Sequence, residues 1–270
     1  MKILLGPAGT PAKSTLEGLA LVHEAGLHAM EVAFTHGVRM GNDTAKQIFM
    51  ENDKYGIALS IHAPYYINLA STDEKKVKES KQRILDSCER AVHMGAKRVV
   101  FHAAYYGQLS KEDVFGKVSD EASDLVEEIK KNGWDVSVLA ETMGRVSQFG
   151  DLDELILLRK KTGCDFCIDP AHLFARNIGQ IDFSDLFDKL EKTKKKDLHF
   201  HFSAINYGPK GERNHLVLGK GGPSFPDFAK ELLKRKSKFD SATIISESPI
   251  TWHDSINMKK TLAGMGHRFQ

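Results

Sequence analysis

Eight side chains able to bind metal recur along the chain: His62, His102, Glu141, Asp169, His172, His201, His215 and Glu247. Imidazoles and carboxylates in this combination coordinate zinc, manganese or iron, with bond lengths of about 2.0–2.2 Å for zinc. The stretch Cys164–Ala175 shows the pattern in miniature. An apolar, strand-like run delivers Asp169 and then His172 where Pro170 breaks the strand pattern. Taken alone, this stretch reads equally as a helix cap made by Asp169 with His172 on the surface. Recurrence of the same arrangement elsewhere favours the metal.

Such a cluster needs a scaffold that brings distant segments to one face. Apolar strand-like runs alternate with amphipathic helix-like runs from end to end. Lys2–Leu5 precedes a helix around Thr15–Ala25, Ala29–Phe34 one near Asp43–Asp53, and Ile57–Ile61 the long stretch Asp73–Met94. Arg98–Phe101 precedes a helix near Lys111–Lys131, Val136–Ala140 one near Leu152–Lys161, and Cys164–Ile168 a shorter helical region through Leu190. Leu198–Phe202 precedes Phe225–Lys236, and Thr243–Ile245 a final helix near Ser255–Gly264. Eight β/α units in 270 residues predict an α/β protein, a (β/α)8 TIM barrel whose strands are apolar on both faces because both are covered. The competitor is a doubly wound open sheet, but Gly6-Pro7-Ala8-Gly9 lacks the glycine spacing of a dinucleotide fingerprint. Without a linker, low-complexity tract or short repeat, residues 1–270 are expected to form a single domain.

The carboxyl ends of barrel strands converge on one face. The third predicted strand ends at His62, the fourth at His102, the fifth at Glu141, the sixth at Asp169 with His172 beyond, the seventh at His201 and the eighth at Glu247. His215 lies on the long Gly-rich connection between Phe202 and Phe225, expected to fold over the barrel mouth as a functional loop. Any one of these residues is compatible with a hydrogen-bonded core. Seven at or beside the ends of six successive strands predict a metal cluster, because burying so many polar groups otherwise is costly. The ligand count exceeds one ion, so two or more are expected, with Glu141 able to bridge them.

Bulk properties narrow the context. Composition is 41% hydrophobic and 27% charged, and formal net charge is only +2, so no global positive field announces a nucleic-acid binder. No run approaches the roughly 20 apolar residues of a membrane span, and Met1–Gly6 is too short for a signal-peptide core, which predicts an intracellular, cytoplasmic protein. Three cysteines, Cys88, Cys164 and Cys167, cannot form a disulfide framework and are expected to be buried and structural. The basic clusters Lys192–Lys196 and Lys234–Lys238 are expected to be solvated helix ends.

Taken in order, His62-Ala-Pro-Tyr-Tyr-Ile-Asn-Leu, Phe101-His102, Ala140-Glu141-Thr, Ile168-Asp169-Pro-Ala-His172-Leu-Phe-Ala, His199-Phe-His201, Asn214-His215-x-x-Leu-Gly and Ser246-Glu247 resemble the endonuclease IV family over nearly the whole chain. The resemblance implies a zinc-dependent apurinic/apyrimidinic endonuclease on a (β/α)8 barrel, with damaged duplex DNA as partner and no protein partner. It implies a first ion on His62, His102 and Glu141, a second on Glu141, Asp169, His201 and Glu247, and a third on His172 and His215 with a loop carboxylate. The family places an Asp two residues before the last histidine, where this chain has Arg213; Glu212 substitutes only if the loop path shifts. Arg39 in Phe34-Thr-His-Gly-Val-Arg39 and the pair Tyr65 and Tyr66 resemble the family's DNA-contacting loops, against the plainer reading of a solvated Arg and rim aromatics.

The implied reaction is hydrolysis of the phosphodiester 5′ to an abasic site in base excision repair, with Glu141, Asp169 and Glu247 as the catalytic carboxylates. A rival of another class is a sugar isomerase or epimerase of the related xylose-isomerase-like barrels, with one divalent ion, manganese or magnesium, on Glu141, Asp169, His201 and Glu247. That reading leaves His62, His102, His172 and His215 unused, which favours the nuclease. A third reading, a binding protein descended from the enzyme, leaves the intact ligand set without a purpose.

Overall fold

The computed structural model describes residues 1–269. In chain order its elements are β1 (Lys2–Pro7), α1 (Thr15–Glu24), β2 (Ala29–Ala33), α2 (Asn42–Asn52), β3 (Ala58–His62), α3 (Glu74–Met94), β4 (Arg98–Phe101), β5 (Ala104–Tyr105), α4 (Lys111–Lys131), β6 (Ser137–Glu141) and β7 (Gln148–Phe149). There follow α5 (Leu152–Thr162), β8 (Asp165–Cys167), α6 (Pro170–Arg176), α7 (Phe183–Lys192), β9 (Asp197–Phe202), β10 (Ala204–Gly208), β11 (Gly211–Leu216), α8 (Phe225–Lys234), β12 (Ser241–Ser246) and α9 (Trp252–Gly264).

Eight parallel strands form the barrel as two arcs, β2-β3-β4-β6-β8 and β9-β12-β1. Single parallel bridges, Ala8 to Glu31 and Ile168 to Phe200, close the cylinder between them. The eight predicted β/α units are therefore present. Local chemistry sets their edges: Ser14, Asp73 and Ser110 cap α1, α3 and α4 with side-chain oxygens, and Asp151 with Glu154 forms a capping box on α5.

Period-2 alternation decides what enters the barrel. On β9, Phe200 and Phe202 face outward against the helices, with ring centroids 5.1 Å from Phe228 in both cases. His199 and His201 face the opposite way, into the barrel, where both meet Glu31. Val100, Leu139 and Cys167 form a small apolar cluster of their own.

Three expectations change. The connection between Phe202 and Phe225 is not structureless: it holds the antiparallel hairpin β10–β11. The helical region after the sixth barrel strand is two helices, α6 and α7. The basic clusters are only partly solvated. Lys195 is buried in an ion pair with Asp165, and Arg235 is buried among Asp188, Glu191 and Glu231, because each stem covers apolar surface while its charge finds carboxylates. The three cysteines are free and buried, as expected. Among the described residues no helix is long and apolar enough to cross a membrane.

Candidate metal centre

At the carboxyl end of β6, the Glu141 carboxylate is fully buried and ringed by four imidazoles. Its Oε2 lies 3.3 Å from His62 Nε2 and 3.0 Å from His102 Nε2, while Oε1 lies 3.3 Å from His172 Nδ1 and 3.0 Å from His201 Nδ1. One carboxylate thus offers an oxygen to each side. Glu247, immediately after β12, places Oε1 3.4 Å from His201 Nδ1 and Oε2 3.6 Å from His215 Nε2.

Asp169 performs two tasks at once. Its Oδ1 accepts from the backbone N–H groups of Ala171 at 2.7 Å and His172 at 3.2 Å, capping α6, where Pro170 opens the helix. Its Oδ2 is buried without a hydrogen-bond partner, 3.4 Å from His172 Nδ1. The cap and an oxygen free to take a metal, alternatives in the sequence, coexist on one side chain. His172, the surface residue of the plainer reading, is buried instead.

Glu212 also enters the site. The β10–β11 hairpin keeps a regular register from Ala204 opposite Leu216 to Asn206 opposite Asn214, then pairs Tyr207 with Glu212, so Arg213 is bulged out. The skipped residue turns Glu212 to the face that Arg213 would have taken. Gly211, at φ 95°, seats the hairpin tip on the loop after β6, where an added Cβ would stand 2.1 Å from the Gly144 carbonyl oxygen. Glu212 N–H donates to that same carbonyl at 3.1 Å. Glu212 Oε2 then lies 3.5 Å from His172 Nε2, buried and without a hydrogen-bond partner.

Glu31 is the residue that the strand-end reading missed. It sits in the middle of β2, fully buried, 2.8 Å from His201 Nε2 and 3.1 Å from His199 Nε2. A lone carboxylate inside the apolar run Ala29–Ala33 was the available signal.

The electrostatics follow from this crowding. Burial opposes the charge of Glu141, but His201, His102 and His172 outweigh it and hold the carboxyl well below its usual range. For His172, burial is outweighed by Asp169, Glu141 and Glu212, and its pKa rises well above the ordinary value. For His201, burial is outweighed by Cys167, Glu31, Glu141 and Glu247, with the same result. His199, where burial dominates over Glu31, is pushed down to about 4 and stays neutral.

Four groups of potential ligand atoms lie within 4.8 Å of one another: His62, His102 and Glu141; Glu141, Asp169, His172 and Glu247; His172, His215 and Glu247; and Cys167, His199 and His201. The first three share members and open onto one cleft of about 270 Å³. Tyr65, Tyr105, Met143 and Arg145 are among its other walls. The N/O donor set, with the unpartnered oxygens of Asp169 and Glu212, fits zinc or manganese. Tyr65 stacks on His102 with ring centroids 5.4 Å apart, while Tyr66 is exposed beside it. Arg39 is exposed on the loop after β2 and is not among the residues lining the cleft.

The comparisons with known proteins bear on the fold and the family. The chain is 34% identical over 271 residues to an uncharacterized protein of Methanocaldococcus jannaschii, covering 96% of each chain. It is 28% identical to an apurinic-apyrimidinic endonuclease of Caenorhabditis elegans, over 70% of this chain and 49% of that one. Among solved structures, a D-tagatose 3-epimerase-like protein aligns with TM-score 0.74 at 20% identity, covering 98% of this chain and 96% of its own. Endonuclease IV from Thermus thermophilus aligns with TM-score 0.74 at 16% identity, covering 98% of both chains. At such identities the two structures speak to the fold. Residues 19–265 match the family described as xylose isomerase-like TIM barrel. The chain belongs to that family, as a divergent relative of the endonuclease 4 proteins.

Proposed function

We propose that this chain, acting as one domain, is a metal-dependent endonuclease that hydrolyses the phosphodiester 5′ to an abasic site in duplex DNA. The observation that carries the reading is the surplus of imidazoles: His62, His102, His172 and His215 cluster with Glu141, Asp169, His201 and Glu247 at one end of the barrel, more donors than one ion uses. We assign a first ion to His62, His102 and Glu141, a second to Glu141, Asp169, His201 and Glu247, and a third to His172, His215 and Glu212. Zinc suits this set, and manganese is the alternative. Bound there, the ions supply Lewis acidity toward water and phosphate oxygens.

The chain's own groups do the positioning. Glu141 divides its two oxygens between neighbouring ligand groups, and Asp169 is held rigid by the cap it makes. Glu247 stands between His201 and His215, where it orients the attacking water. Burial, then Glu247 and Glu141, push the Tyr65 hydroxyl up to about 12, so it remains an O–H donor at neutral pH toward a phosphate. Tyr66 and Arg39, exposed on the loops after β3 and β2, meet the duplex. Turning the abasic nucleotide out costs less than for an intact one, since pairing and part of the stacking are already lost.

The test is a nicking assay on a duplex with one abasic site. Zinc-loaded protein cleaves it and Glu247→Gln does not; an inert wild type carrying its full complement of metal overturns the reading.

A second reading, a sugar epimerase or isomerase with one ion on Glu141, Asp169, His201 and Glu247, is supported by the monosaccharide-sized cleft of about 270 Å³. The name of the epimerase-like structural neighbour points the same way. Metal stoichiometry separates the two: two or three ions with nicking support the nuclease, and a single manganese or magnesium with ketose turnover supports the epimerase.

A further inference from the structure

We propose that Glu31 is a positioning residue of the metal centre, the anionic outer partner that orients His201 so that Nδ1, not Nε2, meets the ion. The proposal rests on the metal-centre reading above and needs no particular substrate.

Glu31 occupies the buried inner wall of β2, one layer deeper than the strand-end ligands. Ser60 Oγ donates to its Oε2 at 2.8 Å and His199 Nε2 lies 3.1 Å from the same oxygen, whereas His201 Nε2 lies 2.8 Å from Oε1 without the alignment of a hydrogen bond, so a small turn of the ring on metal binding completes that bond. On the other edge of the His201 ring, Nδ1 lies 3.0 Å from Glu141 Oε1 and 3.4 Å from Glu247 Oε1. A ligating histidine gives its far N–H to an acceptor, which fixes the tautomer and ring plane and raises the basicity of the ligating nitrogen.

The other histidines with an outer partner do this differently. His62 Nδ1 meets the Ala63 carbonyl at 2.7 Å, His172 Nδ1 the Thr142 carbonyl at 2.9 Å, and His215 Nδ1 the Ser203 hydroxyl at 2.7 Å. Those partners are neutral and leave Nε2 toward the site. His201 reverses the pattern in both respects: its partner is a carboxylate, and its site-facing nitrogen is Nδ1. Ser60 and His199 hold that carboxylate in place through Oε2, the oxygen that does not face His201. A fully buried anion so anchored acts on the ion only through the His201 ring, which defines a positioning role.

Two measurements test this. In zinc-loaded wild type, ¹⁵N spectra of His201 are expected to show Nε2 protonated and Nδ1 metal-bound; Nδ1 protonated with Nε2 metal-bound overturns the proposal. In competitive chelator titrations, Glu31→Gln, which keeps the shape and one acceptor oxygen, is expected to weaken one ion by about 10–100-fold and leave the His62–His102 ion unchanged. Equal affinity of wild type and variant for every ion overturns it. Should the variant fail to fold, the wild-type spectrum decides. A wild type that takes up neither zinc nor manganese removes the metal centre and this proposal together. Loaded protein without nicking removes only the nuclease reading.

Discussion

Nε2 of His172 stands 3.5 Å from Oε2 of Glu212 because Arg213 is squeezed out of the β10–β11 ladder. Two residues before His215, strand alternation alone would have aimed Arg213 at the site and cost the proposed third ion its carboxylate. The bulge exchanges one side chain for the other. Arg213 packs instead over Gly208, where an added Cβ would lie 2.7 Å from its guanidinium.

Glu212→Ala is therefore expected to lose one equivalent of metal, weakening it by more than about 100-fold, beyond the range of outer partners. Arg213→Ala is expected to leave metal content unchanged. Gly144→Ala should mimic the Glu212 loss with every proposed ligand retained, by displacing it, since the new Cβ would stand 2.5 Å from Glu212 Oε2 and 3.2 Å from His172 Cδ2. Elemental analysis of the three purified variants checks all of this.

The double duty of Asp169 separates by substitution. Asn keeps the cap on α6 and Ala does not, so Asp169→Ala is expected to be about 1 kcal/mol less stable than Asp169→Asn in the metal-free protein. Both lose the charged Oδ2, so both should lose metal affinity and turnover to a similar extent. Urea unfolding alongside metal titration distinguishes the outcomes. Equal stability of the two variants would mean that the cap contributes nothing.

The pH dependence should change sign with metal. His172 and His201 have folded pKa values well above 6.5, so their contribution is complete below about pH 6.5 and is lost as pH rises through the folded values. Glu31 and Glu141 lie well below 4.5, so theirs is present above about pH 4.5 and lost as pH falls through the folded values. Metal-free protein is expected to be most stable between those limits and to weaken above them. Ions compete with the same protons, so metal affinity rises with pH. Urea midpoints with and without zinc from pH 4 to 9 would show curves of opposite slope above about pH 6.5; parallel curves would refute it.

Tyr66 divides the two proposed activities. It is 69% exposed and does not line the 270 Å³ cleft, so it is free to stack on a base but not to touch a small sugar. Tyr66→Ala is expected to weaken abasic duplex binding by about 5–100-fold, the worth of one stacked base. Turnover of a ketose, if present, should not change. Fluorescence anisotropy with labelled duplex provides the measurement.

The barrel and the convergence of its strand-end side chains were legible because both rest on periodicity: apolar runs mark strands, and a strand's last residue points to the common face. Helix α4 matches its predicted span, Lys111–Lys131. What escaped lies where period 2 fails or where a polar side chain sits below the strand ends. The hairpin holding His215 has a skipped residue that alternation cannot foresee, so the place of Glu212 followed only from the register. Glu31 escaped because it is mid-strand, one layer below the strand ends that meet at the common face. Lys195 looked solvated because a run of lysines hides the one that finds Asp165.

The two single bridges that shut the cylinder acquire a meaning from where the ligands stand. His62, His102 and Glu141 come from one arc of strands, with Asp169 just past its end, and His201 and Glu247 belong to the other. Neither arc alone can complete the set Glu141, Asp169, His201 and Glu247. An ion held by that set would be a clasp across both seams, and its affinity a gauge of how well the staves of the barrel are drawn together.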